Sequence, residues 1–173
     1  MIDPVLAHRW GHRVAFVGIA AVFFFLRILP LETTPGGWPG PDLLLALAFA
    51  WVLRRPDYVP AALIVAVFLL DDMLSQRPPG LWTVLVLTGT EFLRGRIALL
   101  RGQPFLAEWA MVAATALCMV MAYRLVLALA LVPQAGLMQD IARLVVTLLA
   151  YPAVAGLSRL AFDRAPDAEA RRL

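Results

Sequence analysis

The sequence of 173 residues contains no lysine, a single cysteine and two histidines, and only 16% of its residues are charged. Without lysine, the chain has no ammonium group to hold a nucleotide phosphate or to form a Schiff base. Cys118 has no second cysteine with which to form an intramolecular disulfide. His8 and His12 lie four residues apart near the N-terminus, where a solvated pair is the expected role and weak metal binding is the alternative. We therefore predict no metal and no cofactor.

Several catalytic patterns are also missing. The sequence has no HExxH, no GxSxG and no glycine-rich phosphate loop. Its 15 arginines exceed the 12 acidic residues and give a net charge of +3. These arginines lie between apolar segments and form no aromatic-interleaved basic patch, so membrane orientation explains them better than nucleic-acid binding does. The sequence predicts a protein that is not an enzyme and does not bind nucleic acid.

Apolar residues dominate what is present. They make up 62% of the chain, and the mean hydropathy is +0.81. A soluble domain of this length could not bury so much apolar surface, so residues 1–173 are predicted to form a single polytopic membrane domain. A bilayer core of about 30 Å requires roughly 20 residues per helix. The sequence predicts an all-α bundle of six transmembrane helices, with spans of about 14–31, 41–54, 58–75, 80–98, 105–132 and 138–160.

The second and third spans are short, and a re-entrant hairpin is the alternative to two full crossings. A hairpin would bury Arg54, Arg55 and Asp57 at its tip, where each arginine costs on the order of 2.5–3.5 kcal/mol. Two crossings are therefore favoured. In the six-span arrangement most arginines then fall on one side, which places both termini in the cytoplasm. The arginines on that side are Arg9, Arg13, Arg54, Arg55, Arg94, Arg96, Arg101, Arg159, Arg164, Arg171 and Arg172.

Six charged residues lie within or at the ends of spans at one depth, in the predicted outer leaflet. They are Arg27, Asp71, Asp72, Arg124, Asp140 and Arg143. Charges in a membrane usually face the bundle interior and pair with one another, so this outer-leaflet charge cluster predicts a buried ion-pair network. Snorkelling of the side chains to the headgroups is the alternative. We expect Asp72 to pair with Arg27 or Arg143, and Glu91 to pair locally with Arg94.

Small residues recur at every fourth position of the fifth span. This small-residue ridge consists of Ala110, Ala114, Cys118 and Ala122. Such ridges allow close approach of a second membrane helix. Both packing within the chain and contact with a partner's helix are consistent with the pattern.

Two stretches, GPDLLLALAFAWVLRRPDYVP and FLLDDMLSQRPPG, resemble the MreD family of rod-shape-determining membrane proteins. Pro41 and Asp42 match the residues that open the family's second helix. Asp72 and Gly80 match its aspartate and the glycine eight residues later. The RPPG loop looks like the alphaproteobacterial variety. The resemblance runs over most of the chain and is most specific in residues 40–96.

The resemblance implies a non-enzymatic inner-membrane component of the cell-elongation complex. Such a protein binds an MreC-like single-pass partner and acts indirectly with MreB, RodA and its transpeptidase in peptidoglycan synthesis and cell-shape maintenance. The six-helix plan of the family also resembles the substrate-binding components of energy-coupling-factor transporters. This makes binding of a vitamin-like small molecule the alternative function. A third possibility is binding of a lipid or wall precursor, because outer-leaflet arginines suit anionic groups.

Overall fold

A computed structural model describes the chain over residues 4–28, 40–134 and 136–163, with side chains described over 10–26, 40–134 and 136–160. This part of the chain is all-helical and contains no strand, which confirms that the fold is all-α as predicted. A short 3-10 turn, Pro56–Tyr58, links the second and third helices. The α-helices are α1 (Pro4–Ile28), α2 (Leu43–Arg54), α3 (Ala61–Leu74), α4 (Leu81–Leu100), α5 (Phe105–Leu129) and α6 (Leu137–Asp163).

Proline and glycine set several of the helix boundaries. Pro60 and Pro104 stand in extended conformation immediately before α3 and α5. Gly80 precedes α4 with a φ of +88°, a left-handed conformation that glycine adopts without steric cost. The helices after the first agree with the predicted spans to within a few residues. The first helix begins at Pro4 rather than at residue 14.

Two of the described helical segments are long and apolar enough to cross a membrane. They are Phe105–Leu129 and Leu137–Leu160. Two shorter helical segments, Trp10–Leu26 and Leu43–Arg54, are also apolar. By length and composition, α5 and α6 are therefore the main candidates for membrane-spanning helices.

The short helix α2 forms the centre of the bundle. Every residue from Leu44 to Val52 is buried, and α2 packs most extensively on α6 and α4. A helix that is apolar on all sides belongs in an interior, because it has no polar face to present to water. At 1.5 Å per residue α2 is about 18 Å long, shorter than a bilayer core of about 30 Å.

Gly89 of α4 lies in close contact with α5. A Cβ atom added to Gly89 would lie 2.6 Å from Met119 Sδ and 3.2 Å from Thr115 Cγ2. The absence of a side chain therefore permits this approach. Gly89 could not be singled out from the sequence, because Met119 and Thr115 lie on a different helix.

Short loops make neighbouring helices antiparallel, so α2, α4 and α6 begin at the same end of the bundle. We call this the acidic end, since it carries Asp42, Asp71, Asp72 and Asp140. The opposite end contains the C-terminal part of α2 and the N-terminal part of α5. Its charged residues include Arg54, Arg94, Glu108 and Arg159.

Candidate functional site

At the acidic end, Asp42 caps α2. Its Oδ1 accepts a hydrogen bond of 3.1 Å from the backbone N–H of Leu45, in the manner of an N-cap aspartate. The backbone N–H of Asp42 donates to Thr147 Oγ1 of α6 at 2.8 Å. The start of α2 is thereby tied to α6. Pro41, the other residue of this family-motif pair, is exposed just before the cap.

Asp72 of α3 caps a different helix from its own. Its carboxylate Oδ2 accepts hydrogen bonds from the backbone N–H of Gly80 at 3.0 Å, from the backbone N–H of Thr83 at 3.1 Å and from Thr83 Oγ1 at 2.8 Å. Asp72 is fully buried. The first N–H groups of a helix have no partner within the helix, so this carboxylate completes the N-terminus of α4.

The prediction that Asp72 pairs with Arg143 is therefore wrong. Among the described side chains, no arginine forms an ion pair with Asp72, and its Oδ1 accepts no hydrogen bond. The backbone donors of α4 lie in fixed positions beside the carboxylate, which explains why they take the place of a flexible guanidinium. The side chain of Arg27, the other expected partner, lies outside the described residues.

Asp140 lies in the first turn of α6. It forms an ion pair with Arg124 of α5, in which Arg124 Nη1 donates to Asp140 Oδ2. Gln134 holds the same region by donating from Nε2 to the backbone oxygen of Arg124 at 3.0 Å. These contacts join the end of α5 to the start of α6 across the intervening loop.

Asp71 and Arg77 form the remaining described charge contact at this end. Asp71 is buried, and its Oδ2 lies 3.7 Å from Arg77 Nη1. The Arg77 guanidinium lies 5.3 Å from the centre of the Trp82 ring. Trp82 in turn packs edge-to-face against Tyr123, with 5.6 Å between ring centres. The outer-leaflet cluster predicted from the sequence did not include Arg77, Trp82 or Tyr123.

Two adjoining cavities open among these residues. The larger cavity, of about 490 Å³, lies between α1 and the start of α2 and reaches Asp71. The smaller cavity, of about 310 Å³, lies among α2, α4, α5 and α6. Asp42 and Arg143 line both. Their volumes fall near the lower part of the range typical of small-molecule sites, about 300–1,000 Å³.

The opposite end contains a network that the sequence analysis missed. Glu108 Oε1 accepts hydrogen bonds from Tyr151 Oη at 2.8 Å and from Arg54 Nη1 at 3.1 Å. Glu108 Oε2 lies 3.7 Å from Arg159 Nη2. The network joins α2, α5 and α6. A signal was present in the sequence, because Glu108 is the acidic residue in the first turn of α5 and Arg54 is the basic residue in the last turn of α2.

Arg94 contacts both its own helix, α4, and the connection between α2 and α3. Its Nε lies 3.3 Å from Glu91 Oε1, which confirms the predicted local pair. Its Nη2 donates to the backbone oxygen of Val59 at 2.8 Å, and its Nη1 to that of Pro56 at 3.4 Å. One guanidinium thus holds the connection between α2 and α3 against α4.

The small-residue ridge faces away from the bundle. Ala110, Ala114 and Cys118 are exposed, and Ala122 is half-buried. The buried face of α5 is formed by other residues: Val112, Thr115, Ala116, Met119 and Leu127. Ala110, Ala114 and Cys118 therefore do not pack within the described part of the chain, because α5 buries a different face against the bundle. Contact with a partner's helix remains a prediction.

The described residues contain no group of three or more histidine, cysteine, aspartate or glutamate side chains arranged to hold a metal ion. Comparison of the chain with protein-family models, with curated proteins and with solved structures gave no match.

Proposed function

We propose that this chain is a non-enzymatic, multi-pass subunit of the bacterial inner membrane that binds an MreC-like single-pass protein within the cell-elongation complex. Both termini face the cytoplasm in this proposal, and membrane lipids surround the bundle. MreB, RodA and its transpeptidase are indirect partners in peptidoglycan synthesis and cell-shape maintenance. The proposal begins from the resemblance of residues 40–96 to the MreD family.

The exposed ridge on α5 is the observation that carries the proposed binding role. Ala110, Ala114 and Cys118 offer a surface of small side chains on an apolar helix. Helices associate in lipid through close packing, since the lipid tails are as apolar as the side chains. A single-pass helix could approach α5 closely along this surface.

The hydrogen bond between Asp72 and Gly80 supports the resemblance itself. The family spacing of eight residues corresponds here to a 3.0 Å contact between the carboxylate of α3 and the residue that opens α4. Both residues have structural roles in this contact, in keeping with a subunit that holds a partner without chemical turnover.

Co-purification from native membranes tests the proposal. Ala114→Leu and Cys118→Leu should abolish recovery of an MreC-like protein and leave the melting temperature of the chain unchanged, because both positions are exposed. Ala98→Leu, at an exposed position on α4, is the matched control and should retain the partner. Retained binding in both ridge variants would remove the ridge from this role. Failure of the unaltered chain to capture any MreC-like protein would contradict the function.

The two cavities support a second candidate, a component that binds a vitamin-like small molecule for a membrane transporter. Their volumes of about 490 and 310 Å³ suit ligands of that size. The test is mass spectrometry of small molecules released from the purified, denatured chain. A vitamin recovered in stoichiometric amount would favour this candidate, and its consistent absence would favour the elongation subunit.

A further inference from the structure

A proline interrupts the backbone hydrogen bonding of α6. Pro152 lies inside this helix, which runs from Leu137 to Asp163. Proline has no N–H, so the carbonyl oxygen four residues earlier, that of Leu148, loses the donor that a regular helix provides. Most sharp bends in helices occur at prolines, and a proline is tolerated when a neighbouring group takes over the freed carbonyl. Leu148 therefore depends on a donor from another part of the chain.

Trp109 of α5 provides that donor. Its indole Nε1 donates to the backbone oxygen of Leu148 at 2.9 Å. The preceding residue of α5, Glu108, accepts a hydrogen bond of 2.8 Å from the hydroxyl of Tyr151, the residue before Pro152. Two consecutive residues near the start of α5 thus hold α6 on the N-terminal side of its proline.

The part of α6 before the proline is also attached to other elements. Thr147 Oγ1 accepts a hydrogen bond of 2.8 Å from the backbone N–H of Asp42, at the start of α2. Asp140, in the first turn of α6, forms an ion pair with Arg124 of α5. These contacts fix this part of the helix to the bundle at its start and along its length.

The part of α6 after the proline has weaker attachments. In residues 153–160 only Ala155 and Ser158 are buried. The Ser158 hydroxyl donates within its own helix and not to a neighbouring one. Arg159 contacts another helix through Glu108, but 3.7 Å separate the two charged atoms and the arginine side chain is 55% exposed. An exposed pair contributes little, so the two sides of the proline are held with different strength.

We propose that α6 is hinged at Pro152 and that Trp109 locks the hinge. While the indole N–H is bound to the oxygen of Leu148, the helix is held in the observed position. When this hydrogen bond is absent, residues 153–160 pivot at the proline and withdraw their arginine from Glu108. The hinge is a conformational device of the chain itself. It goes beyond the proposed function and requires neither the MreC-like partner nor a ligand.

The test is amide hydrogen exchange in the purified full chain in detergent. Trp109→Phe keeps an aromatic ring and removes the indole N–H. Exchange in residues 153–160 should become about tenfold faster, because one intramolecular hydrogen bond is lost. Exchange in residues 138–147 should not change. Trp82→Phe is the matched control and should leave both segments unchanged, since Trp82 is also buried but its Nε1 donates no hydrogen bond in the described part of the chain.

Pro152→Ala separates a lock on a hinge from an ordinary packing contact. The alanine restores the N–H that a regular helix directs at Leu148, so this variant alone should slow exchange in residues 153–160. In the Pro152→Ala chain, adding Trp109→Phe should accelerate that exchange by about twofold or less, because the oxygen then has a backbone donor. Equal acceleration by Trp109→Phe with and without the proline would overturn the proposal. So would equal acceleration by Trp82→Phe, or exchange in Pro152→Ala that is unchanged or faster.

Discussion

The two ends of the bundle use carboxylates differently. At the acidic end, Asp42 and Asp72 accept hydrogen bonds from the backbone N–H groups that open α2 and α4. At the opposite end, Glu108 accepts from Tyr151 and Arg54, which are side chains of other helices. The first arrangement completes helix ends, and the second joins three helices through an ion pair.

The difference follows the direction of the helices. The N-termini of α2, α4 and α6 present unsatisfied N–H groups and a positive partial charge, which an aspartate satisfies. At the opposite end, backbone carbonyl groups need donors, and Arg54 and Arg94 donate to the backbone oxygens of Ala50, Val59 and Pro56. The uneven charge distribution thus has a structural cause in addition to any role in membrane orientation.

The largest effect is expected from breaking the ion pair at the opposite end. Glu108→Gln should reduce the free energy of unfolding in detergent by about 3 kcal/mol, because Arg54 then remains buried without a counter-charge. Arg54 and Glu108 side chains are only 11% and 18% exposed. The measurement is chemical unfolding followed by tryptophan fluorescence.

Glu91→Gln is the matched control for that prediction. Glu91 also contacts an arginine, but its side chain is 47% exposed. Its loss should change the free energy of unfolding by about 0.5 kcal/mol or less, since water screens exposed pairs. Equal effects at Glu91 and Glu108 would remove burial as the reason for the contribution of Glu108.

A somewhat smaller loss is expected at the acidic end. Asp72→Ala should lower the free energy of unfolding by about 2–3 kcal/mol, because the N–H groups of Gly80 and Thr83 lose their acceptor inside the protein. Asp57→Ala, at an exposed position in the 3-10 turn, should have little effect. Hydrogen exchange should locate the change in the first turn of α4. Faster exchange spread equally over all helices would contradict a local capping role.

Midway between the two ends, Gly89→Val should cost about 1–3 kcal/mol, since the new side chain would overlap Met119 and Thr115. Gly95→Val is the matched control, because no atom lies within 4 Å of a Cβ added at Gly95. Thermal unfolding of both variants checks the difference. Gly89 is nine residues from Gly80, or about 13 Å along α4, so the effects of Gly89→Val and Asp72→Ala should add. Strong non-additivity would show that the acidic end and the middle of α4 are not independent.

Much of the fold was predictable from local signals. Apolar runs of helical length and the prolines before α3 and α5 located these helices to within a few residues. The central position of α2 was harder to predict from the sequence, because a short apolar run has the same composition whether it contacts lipid or other helices. Its burial is set by α4 and α6, which are distant in the sequence.

The sequence predicted which charged residues lie at the candidate site, but it did not predict the partner of Asp72. Depth along the helices brought Asp71, Asp72, Arg124, Asp140 and Arg143 to one end, where the structure also places them. Charge alone favoured an arginine for Asp72, whereas the structure provides backbone donors. The role of the backbone donors could not be derived from depth along the helices, because the positions of these N–H groups depend on the turn at Gly80. Likewise, spacing identified the ridge on α5 but not the side of the helix that packs.

The free energy of unfolding of Asp72→Asn, measured beside Glu108→Gln in the same detergent, tests most directly whether Asp72 acts as a cap for α4. Asparagine accepts hydrogen bonds at an N-cap about as well as aspartate. The account therefore predicts a loss of about 1 kcal/mol or less for Asp72→Asn, against about 3 kcal/mol for Glu108→Gln. A loss for Asp72→Asn that equals or exceeds the loss for Glu108→Gln would contradict the account, because the negative charge rather than the capping geometry would then be what Asp72 contributes.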